Sequence, residues 1–152
     1  MQGFSTQIGH NFLMISERIR ELMLEGEFSP KKLSEQIHVS DSVILRWCKH
    51  DTDLRLKNLL CLADLFRCSL EYLTGRSENA SDFPPKSCPP FAERLDEVLR
   101  DKKTSYYLLQ KRTKISRCVF ENWKHGGEPR LYNLIKVANA LDCTLDFLVG
   151  RE

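Results

Sequence analysis

The sequence predicts an all-α protein built from two similar domains, and three observations support this prediction. Sliding the 152-residue chain along itself by 76 residues, and then by 75, superposes two stretches of about 60 residues, 16–76 and 92–151. Apolar residues recur at helical spacing in both stretches, and no alternating β-pattern competes with them. Between the two stretches, the 14 residues 77–90 hold four of the six prolines, which cannot continue either helical unit.

The match between the two copies can be read at individual positions. A shift of 76 places Arg18 on Arg94, Leu33 on Leu109, Ile44 on Phe120 and Trp47 on Trp123. A shift of 75 then places Arg55-Leu56 on Arg130-Leu131, Cys68 on Cys143 and Gly75-Arg76 on Gly150-Arg151. We therefore expect a first domain over residues 12–76, a Pro-rich linker over 77–90 and a second domain over 91–152. The two Pro-Pro pairs of the linker favour polyproline II, with a reach of up to roughly 43 Å at ~3.1 Å per residue.

Each copy is predicted to begin with an amphipathic helix followed by a second, short one. The apolar stripes of the first helix are Ile15, Ile19, Leu22 and Met23 in one copy and Phe91, Leu95, Val98 and Leu99 in the other. In the first copy, Ser29-Pro30 supplies a capping serine and a proline at the first helical position. The second helix then buries Leu33 and Ile37 and ends at His38-Val39.

The third helix of each copy is predicted to begin after Ser40 or Ser116, which are N-cap candidates. Its apolar pairs lie three residues apart on one face, so Trp47 and Trp123 are expected in the core. A loop closes this helix, with 51–53 in the first copy and Gly126-Gly127 in the second. A fourth helix follows over 56–66 and 131–141, and a fifth ends at Gly75 or Gly150, each placed as a C′ glycine.

The composition is typical of a globular protein, with 41% hydrophobic and 29% charged residues. The N-terminal stretch lacks the pattern of a signal peptide, and no window is apolar enough to span a membrane, so we expect a cytoplasmic protein. Of the six cysteines, Cys68 and Cys143 are expected to pack structurally, and no disulfide framework is expected.

Neither a metal nor an enzymatic site is expected. Cys48 with His50, or Cys118 with His125, lacks a second ligand pair at a recognisable zinc spacing. The four histidines show no pairing with a nucleophile or carboxylate at a catalytic spacing, and the chain contains no Gly-rich phosphate loop. We therefore expect a non-enzymatic protein without a cofactor.

The order of these motifs resembles that of the Cro/C1-type (XRE-like) helix-turn-helix domain of phage repressors and bacterial regulators. The resemblance rests on R-I-R-E-L (18–22), L-S-E-Q-I-H-V-S (33–40) and I-L-R-W (44–47), and on F-E-N-W-K (120–124) and the helices that follow in the second copy. It covers about 120 of the 152 residues. It implies two lambda-repressor-like helix-turn-helix domains of about five short helices each, joined by the Pro-rich linker, and a DNA-binding transcription regulator.

The resemblance also implies which residues read DNA. In that family, residues in the first turn of the third helix and one residue further along contact base edges. In the second copy these positions hold Ser116, Arg117, Cys118 and Asn122. Their counterparts in the first copy are Ser40, Asp41, Ser42 and Arg46. Arg117 could chelate guanine O6 and N7, and Asn122 could pair with adenine. Cys118 could equally be half buried, and Asp41 could accept only from cytosine, which makes the first copy the poorer reader.

Phosphate contacts are implied at the start of the second helix and after the recognition loop. These places hold Tyr106, Arg130 and Arg55, with Lys124 nearby, whereas Pro30 departs from the family pattern because it has no donor. Local charge agrees: residues 101–130 contain eight basic and three acidic side chains, a net charge of +5, whereas residues 25–55 contain five and six, a net charge of −1. A cationic footprint of this kind suits a polyanion.

Two functions remain open at the level of sequence. The first is a repressor-like regulator that binds double-stranded DNA, with the second copy as the main reader. The second is a protein-interaction or antirepressor-like module in which the first copy binds another protein, which fits the net charge of only +2. A homodimer or a regulatory protein partner is compatible with either function.

Overall fold

The computed structural model describes residues 15–50 and 52–152, which contain ten helices and no β-strand. The helices of the first copy are α1 (15–25), α2 (Pro30–Ile37), α3 (Asp41–Lys49), α4 (Leu56–Phe66) and α5 (Leu70–Leu73). Those of the second copy are α6 (Phe91–Asp101), α7 (Tyr106–Thr113), α8 (Arg117–Lys124), α9 (Leu131–Ala140) and α10 (Leu145–Val149). The predicted all-α fold with five short helices per copy is confirmed.

The chain divides into two compact units, the first built around residues 15–54 and 58–85 and the second around residues 55–57 and 86–152. Residues 12–14, with which the predicted first domain begins, and Asp51 of its predicted loop lie outside the described residues. None of the described helices is long and apolar enough to cross a membrane.

A serine caps the start of the second helix in each copy. The Ser29 hydroxyl accepts from the Lys32 amide at 3.1 Å, and Pro30 occupies the first position of α2, as predicted. Ser105 caps α7 in the same way through the Leu108 amide at 3.3 Å. After each of these helices a short turn leads directly into the third helix, which gives the helix-turn-helix geometry.

The repeat extends to backbone conformation. All six described non-glycine residues with positive φ form three pairs at equivalent positions: Glu27 with Lys103, His38 with Lys114, and Arg67 with Asp142. Gly75 and Gly150 form a fourth pair, with φ of 77° and 93°. Each pair follows the end of a helix, where a left-handed residue stops the helical turn and redirects the chain. The two copies therefore share their turns as well as their cores.

Replacing Lys103 by glycine is expected to stabilise the second domain by roughly 0.5–1 kcal/mol. Lys103 has φ of 54° after α6, a conformation that costs an L-residue about 1–2 kcal/mol, whereas glycine loses about 0.5–1 kcal/mol of chain entropy. Lys103→Ala is the matched control, because it removes the same charge but keeps the Cβ. Thermal unfolding that shows an equal gain for both variants would contradict this prediction.

The tryptophans lie in the core, as predicted. Trp47 and Trp123 are 2% and 4% exposed, and the ring of Trp123 meets those of Phe120 and Phe91 edge to face at 5.1 and 5.3 Å. The apolar stripes of α1 and α6 are also buried, and Cys68 packs in the core, whereas Cys143 is half-buried.

The change of register between the copies occurs at the end of the third helix. Helix α3 has nine residues and α8 has eight, and they are followed by His50 and His125 at equivalent positions. The single extra residue therefore lies at the C-terminal end of α3, after Trp47. The buried residues up to Trp47 and Trp123 keep equivalent positions in the two helices.

An arginine in the first helix joins it to the last helix in each copy. The Arg18 guanidinium donates to the Tyr72 carbonyl at 3.0 Å and lies 3.9 Å from the centre of the Tyr72 ring. Arg94 donates to the Phe147 carbonyl at 3.1 and 2.7 Å and lies over the Phe147 ring. These contacts join the first and last helices of each domain.

An ion pair joins the last helix of each copy to the arginine that follows it. Arg151 Nη1 lies 2.9 Å from Asp146 Oδ1, and both side chains are nearly inaccessible to solvent, at 0% and 2% exposure. The corresponding pair, Arg76 and Glu71, is 2.8 Å apart but is 12% and 17% exposed. The second domain thus contains a fully buried ion pair where the first has a partly hydrated one.

Residues 77–90, predicted as a linker, contain no helix, and several of them contact the domain beside them. Asp82 accepts from Arg67 Nε and Nη2 at 2.8 and 2.9 Å, and the Phe83 amide donates to the Arg67 carbonyl at 2.9 Å. Glu78 lies 3.2 Å from Arg18 Nη2. The full reach of roughly 43 Å calculated for a polyproline II spacer would therefore require these contacts to break.

Candidate nucleic-acid interface

Helix α8 places four sequence-predicted base-reading residues on an exposed surface. Phe120 and Trp123 anchor the buried face of α8, while the exposed residues are Ser116, Arg117, Cys118 and Asn122. Cys118 and Asn122 are one helical turn apart on the same side. The structure thus brings these residues together and places Cys118 in solvent instead of in the half-buried environment left open by the sequence.

Ser116 occupies the N-cap position with an extended backbone, but its hydroxyl makes no capping hydrogen bond. This differs from Ser40 of the first copy, which accepts from the Val43 amide at 3.3 Å. The N-cap position of Ser116 was predicted, whereas the missing capping bond was not. The Ser116 hydroxyl is exposed next to Arg117 at the first turn of α8.

The glycine loop after α8 fits tightly against Asn122. The Gly127 amide donates to the Asn122 carbonyl at 2.8 Å, and a Cβ on Gly127 would lie only 1.8 Å from Asn122 Oδ1. Gly126, the preceding residue, has φ of 91°. The loop therefore requires glycine at 127 for space and favours it at 126 for conformation, and it packs against the Asn122 side chain.

Tyr106 and Lys124, two of the predicted phosphate-binding residues, lie beside each other. Lys124 Nζ is 4.3 Å from the centre of the Tyr106 ring and 3.6 Å from Glu121 Oε1. The Tyr106 hydroxyl donates to Asp96 Oδ1 at 2.6 Å. Burial, together with the Asp96 carboxylate, raises the pKa of Tyr106, so this hydroxyl remains protonated at physiological pH. Arg130, the third predicted residue, is exposed at the start of α9.

The corresponding surface of the first copy is organised differently. The Ser34 hydroxyl of α2 lies 2.6 Å from Asp41 Oδ1 and 2.7 Å from the Lys31 carbonyl, and the side chain of Ser34 is buried. The hydroxyls of Ser40 and Ser42 lie 3.0 Å apart. Three of the four base-reading candidates of the first copy are thus hydrogen-bonded within the domain.

Two further candidates of the first copy, Arg46 on α3 and Arg55 just before α4, are exposed. Pro30 begins α2 and has no amide hydrogen with which to hold a phosphate. Tyr106, its counterpart in α7, keeps both an amide hydrogen and a hydroxyl.

The net positive charge calculated for residues 101–130 belongs to surface side chains. All eight basic side chains of residues 101–130 are exposed; they are Lys102, Lys103, Lys111, Arg112, Lys114, Arg117, Lys124 and Arg130. The positive charge is therefore available to solvent and to a polyanion.

Sequence reasoning missed Ser34 and Asp96, the partners of two candidate residues. Neither carries a local sequence signal, because a serine or an aspartate on a helix surface is usually solvated. The two repeated ion pairs had a signal: Arg76 and Arg151 each follow an acidic residue by five positions in both copies.

Comparison with known families agrees with this geometry. The model of the Cro/C1-type HTH DNA-binding domain matches the chain twice, over residues 18–76 and 94–151. No curated protein and no solved structure shows significant similarity to the chain. The two matched segments contain all the candidate base-reading and phosphate-binding residues.

Proposed function

Because the chain belongs to the Cro/C1-type helix-turn-helix DNA-binding family, we propose that it is a sequence-specific, repressor-like transcription regulator whose second domain is the main DNA reader. It acts on double-stranded DNA in the cytoplasm and has no enzymatic role. The finer parts of this proposal rest on the different surfaces of the two domains.

The observation that carries the proposal is the contrast between Asp41 and Arg117 at equivalent positions. Arg117 is exposed in the first turn of α8, where its guanidinium can donate two hydrogen bonds to a guanine. Asp41 carries the opposite charge and is hydrogen-bonded to Ser34. A carboxylate at this place repels phosphate and offers no donor to a base, so the first domain contributes less to reading.

The distribution of charge supports the same assignment. The exposed basic residues of 101–130, which include Arg117 and Lys124 of α8, supply a sequence-independent attraction to phosphates. Base contacts from Arg117 and Asn122 would then select the sequence, since phosphate contacts position a protein without specifying a site.

Full-length protein is expected to select an asymmetric site from random duplex DNA. One half should be well defined, because α8 presents Arg117 and Asn122, and the other half degenerate, because α3 presents Asp41 and Arg46. Tethering holds the weaker domain at an effective concentration of about millimolar, so it can still add affinity. Sequencing of the selected DNA tests this, together with a steep fall in affinity as salt is raised.

A palindromic selected site would contradict the asymmetric arrangement. It would indicate that two chains pair and present their second domains to two half-sites about 34–36 Å apart. The first domains would then remain available for another protein.

A second candidate function, protein binding by the first domain, is favoured by one specific observation. Leu45 on α3 is 42% exposed, and its counterpart on α8 is the charged Glu121. An exposed leucine on the third helix suits a protein surface better than a phosphate backbone. DNA affinity that is weak and nearly independent of salt would favour this function over DNA reading.

A further inference from the structure

We propose that Tyr106 is a positioning residue that holds the Lys124 ammonium at the end of α8, and that its hydroxyl does not contact phosphate. This inference rests on the proposed function of the second domain. It differs from the role expected from the sequence, in which the Tyr106 hydroxyl takes the place of a phosphate-binding side chain.

The hydroxyl of Tyr106 already has a partner. It donates its only proton to Asp96 Oδ1 at 2.6 Å, a short, charge-assisted hydrogen bond. A phosphate oxygen needs a donor, so the Tyr106 hydroxyl could bind phosphate only by leaving Asp96. The bond also joins α7 to α6, because Asp96 belongs to α6 and Tyr106 to α7.

The ring of Tyr106 contacts α8 through two residues. It meets the Phe120 ring edge to face with the ring centres 5.6 Å apart, and Lys124 Nζ lies 4.3 Å from the Tyr106 ring centre. A cation at this distance is attracted by the negative face of the ring. Phe120 is buried and Lys124 is exposed, so Tyr106 connects the core to a charged group at the surface.

The neutral ring matters because Lys124 also has an acidic neighbour. Glu121 Oε1 lies 3.6 Å from Lys124 Nζ, and both side chains are more than 40% exposed. A carboxylate neutralises the ammonium, whereas an aromatic ring holds it without cancelling its charge. Tyr106 therefore holds the Lys124 ammonium in place without adding to its neutralisation by Glu121.

The first domain lacks this arrangement. The residues at the positions of Asp96 and Tyr106 are Arg20 and Pro30 when the copies are shifted by 76, and Lys49, the last residue of α3, corresponds to Lys124, the last residue of α8. There the Arg20 guanidinium donates to the Cys48 carbonyl, and Pro30 offers no aromatic ring to the exposed Lys49 at the end of α3. The positioning contact is thus specific to the domain that we propose as the main reader.

A double-mutant cycle in the full-length protein tests the proposal. Affinity for a random-sequence duplex is measured over a range of salt concentrations for Tyr106→Phe, Tyr106→Leu, Lys124→Ala and the double variant Tyr106→Leu/Lys124→Ala. We expect Tyr106→Leu and Lys124→Ala each to reduce the slope of log affinity against log salt by about one. The double variant should lose no more than either single variant, because both remove the same contact.

Tyr106→Phe separates the ring from the hydroxyl. It keeps the ring under Lys124, so we expect the wild-type salt slope and affinity. Tyr132→Leu is a matched control, since Lys136 Nζ lies 4.3 Å from the Tyr132 ring centre but neither residue is a candidate DNA contact; its slope should stay at the wild-type value. An equal loss for Tyr106→Phe and Tyr106→Leu, or additive losses in the double variant, would overturn the proposal.

A measurement without DNA distinguishes failure of this proposal from failure of the proposed function. In the free protein, the ring current of Tyr106 should shift the Lys124 side-chain proton resonances upfield in NMR spectra. This shift should persist in Tyr106→Phe and disappear in Tyr106→Leu. If the shift is absent in the wild-type protein, the positioning role is wrong; if the shift is present and the protein binds no duplex, the proposed function is wrong.

Discussion

Asp146→Ala is expected to destabilise the second domain by about 3–5 kcal/mol, because it leaves a buried charge without its partner. Arg151 Nη1 lies 2.9 Å from Asp146 Oδ1, and neither side chain reaches solvent to any extent. The Arg151 amide also donates to the Asp146 carbonyl at 2.8 Å, so the backbone holds the pair in place when the carboxylate is removed. The guanidinium would then remain desolvated without the Asp146 carboxylate, or the end of α10 would unfold to hydrate it.

Thermal unfolding of the full-length protein measures this effect as a lower midpoint for the second domain. A change of 1 kcal/mol shifts the midpoint of a domain of this size by about 4–8 °C. Glu71→Ala is the matched control in the first domain, where the pair with Arg76 is partly hydrated and should contribute less.

Removing both charges provides a second test of the mechanism. Asp146→Ala with Arg151→Met leaves no buried charge, and replacement of a buried ion pair by apolar side chains is often close to neutral. We therefore expect the double variant to be more stable than Asp146→Ala alone. A double variant that is less stable would show that the pair contributes mainly through its own attraction and packing.

Most of the fold was predictable because its determinants are repeated and local. The apolar stripes of α1 and α6, the serines before α2 and α3, and the glycines at 75 and 150 each depend on a few neighbouring residues. The occurrence of the same pattern twice made each assignment firmer than it would be in one copy. The buried positions of Trp47 and Trp123 followed from the same periodicity.

The hydrogen-bond partners of polar surface residues could not be predicted in the same way. Asp41 could have remained in solvent, capped its own helix or accepted from α2, and these alternatives differ by about 1 kcal/mol. Only the relative placement of α2 and α3 brings Ser34 within 2.6 Å of Asp41. The same reasoning applies to Tyr106, whose partner Asp96 lies on a helix that precedes it by a turn. The candidate residues could therefore be named from the sequence, but their hydrogen-bond partners could not.

Arg117→Ala is expected to cost about 1–3 kcal/mol of binding free energy on the preferred DNA site and to relax the base preference at one position. The reason is that Arg117 is exposed at the first turn of α8, where a guanidinium can donate to both acceptors of a guanine in the major groove. The measurement is the affinity of full-length protein for the selected site and for a set of duplexes that each carry one base change, all at one salt concentration. Arg117→Ala should bind these duplexes with similar affinities where the wild-type protein distinguishes them.

Asp41→Ala is the matched control, because Asp41 is the equivalent residue of the first domain. It removes a negative charge and the hydrogen bond from Ser34, so it should cost some stability of α3 but should not weaken DNA binding. Its base preferences should remain those of the wild-type protein. If Asp41→Ala relaxed the base preference and Arg117→Ala did not, the first domain would be the main reader. If neither substitution changed the base preference, the first turns of both helices would lie outside the major groove, and the specificity would have to come from other residues such as Asn122 and Arg46.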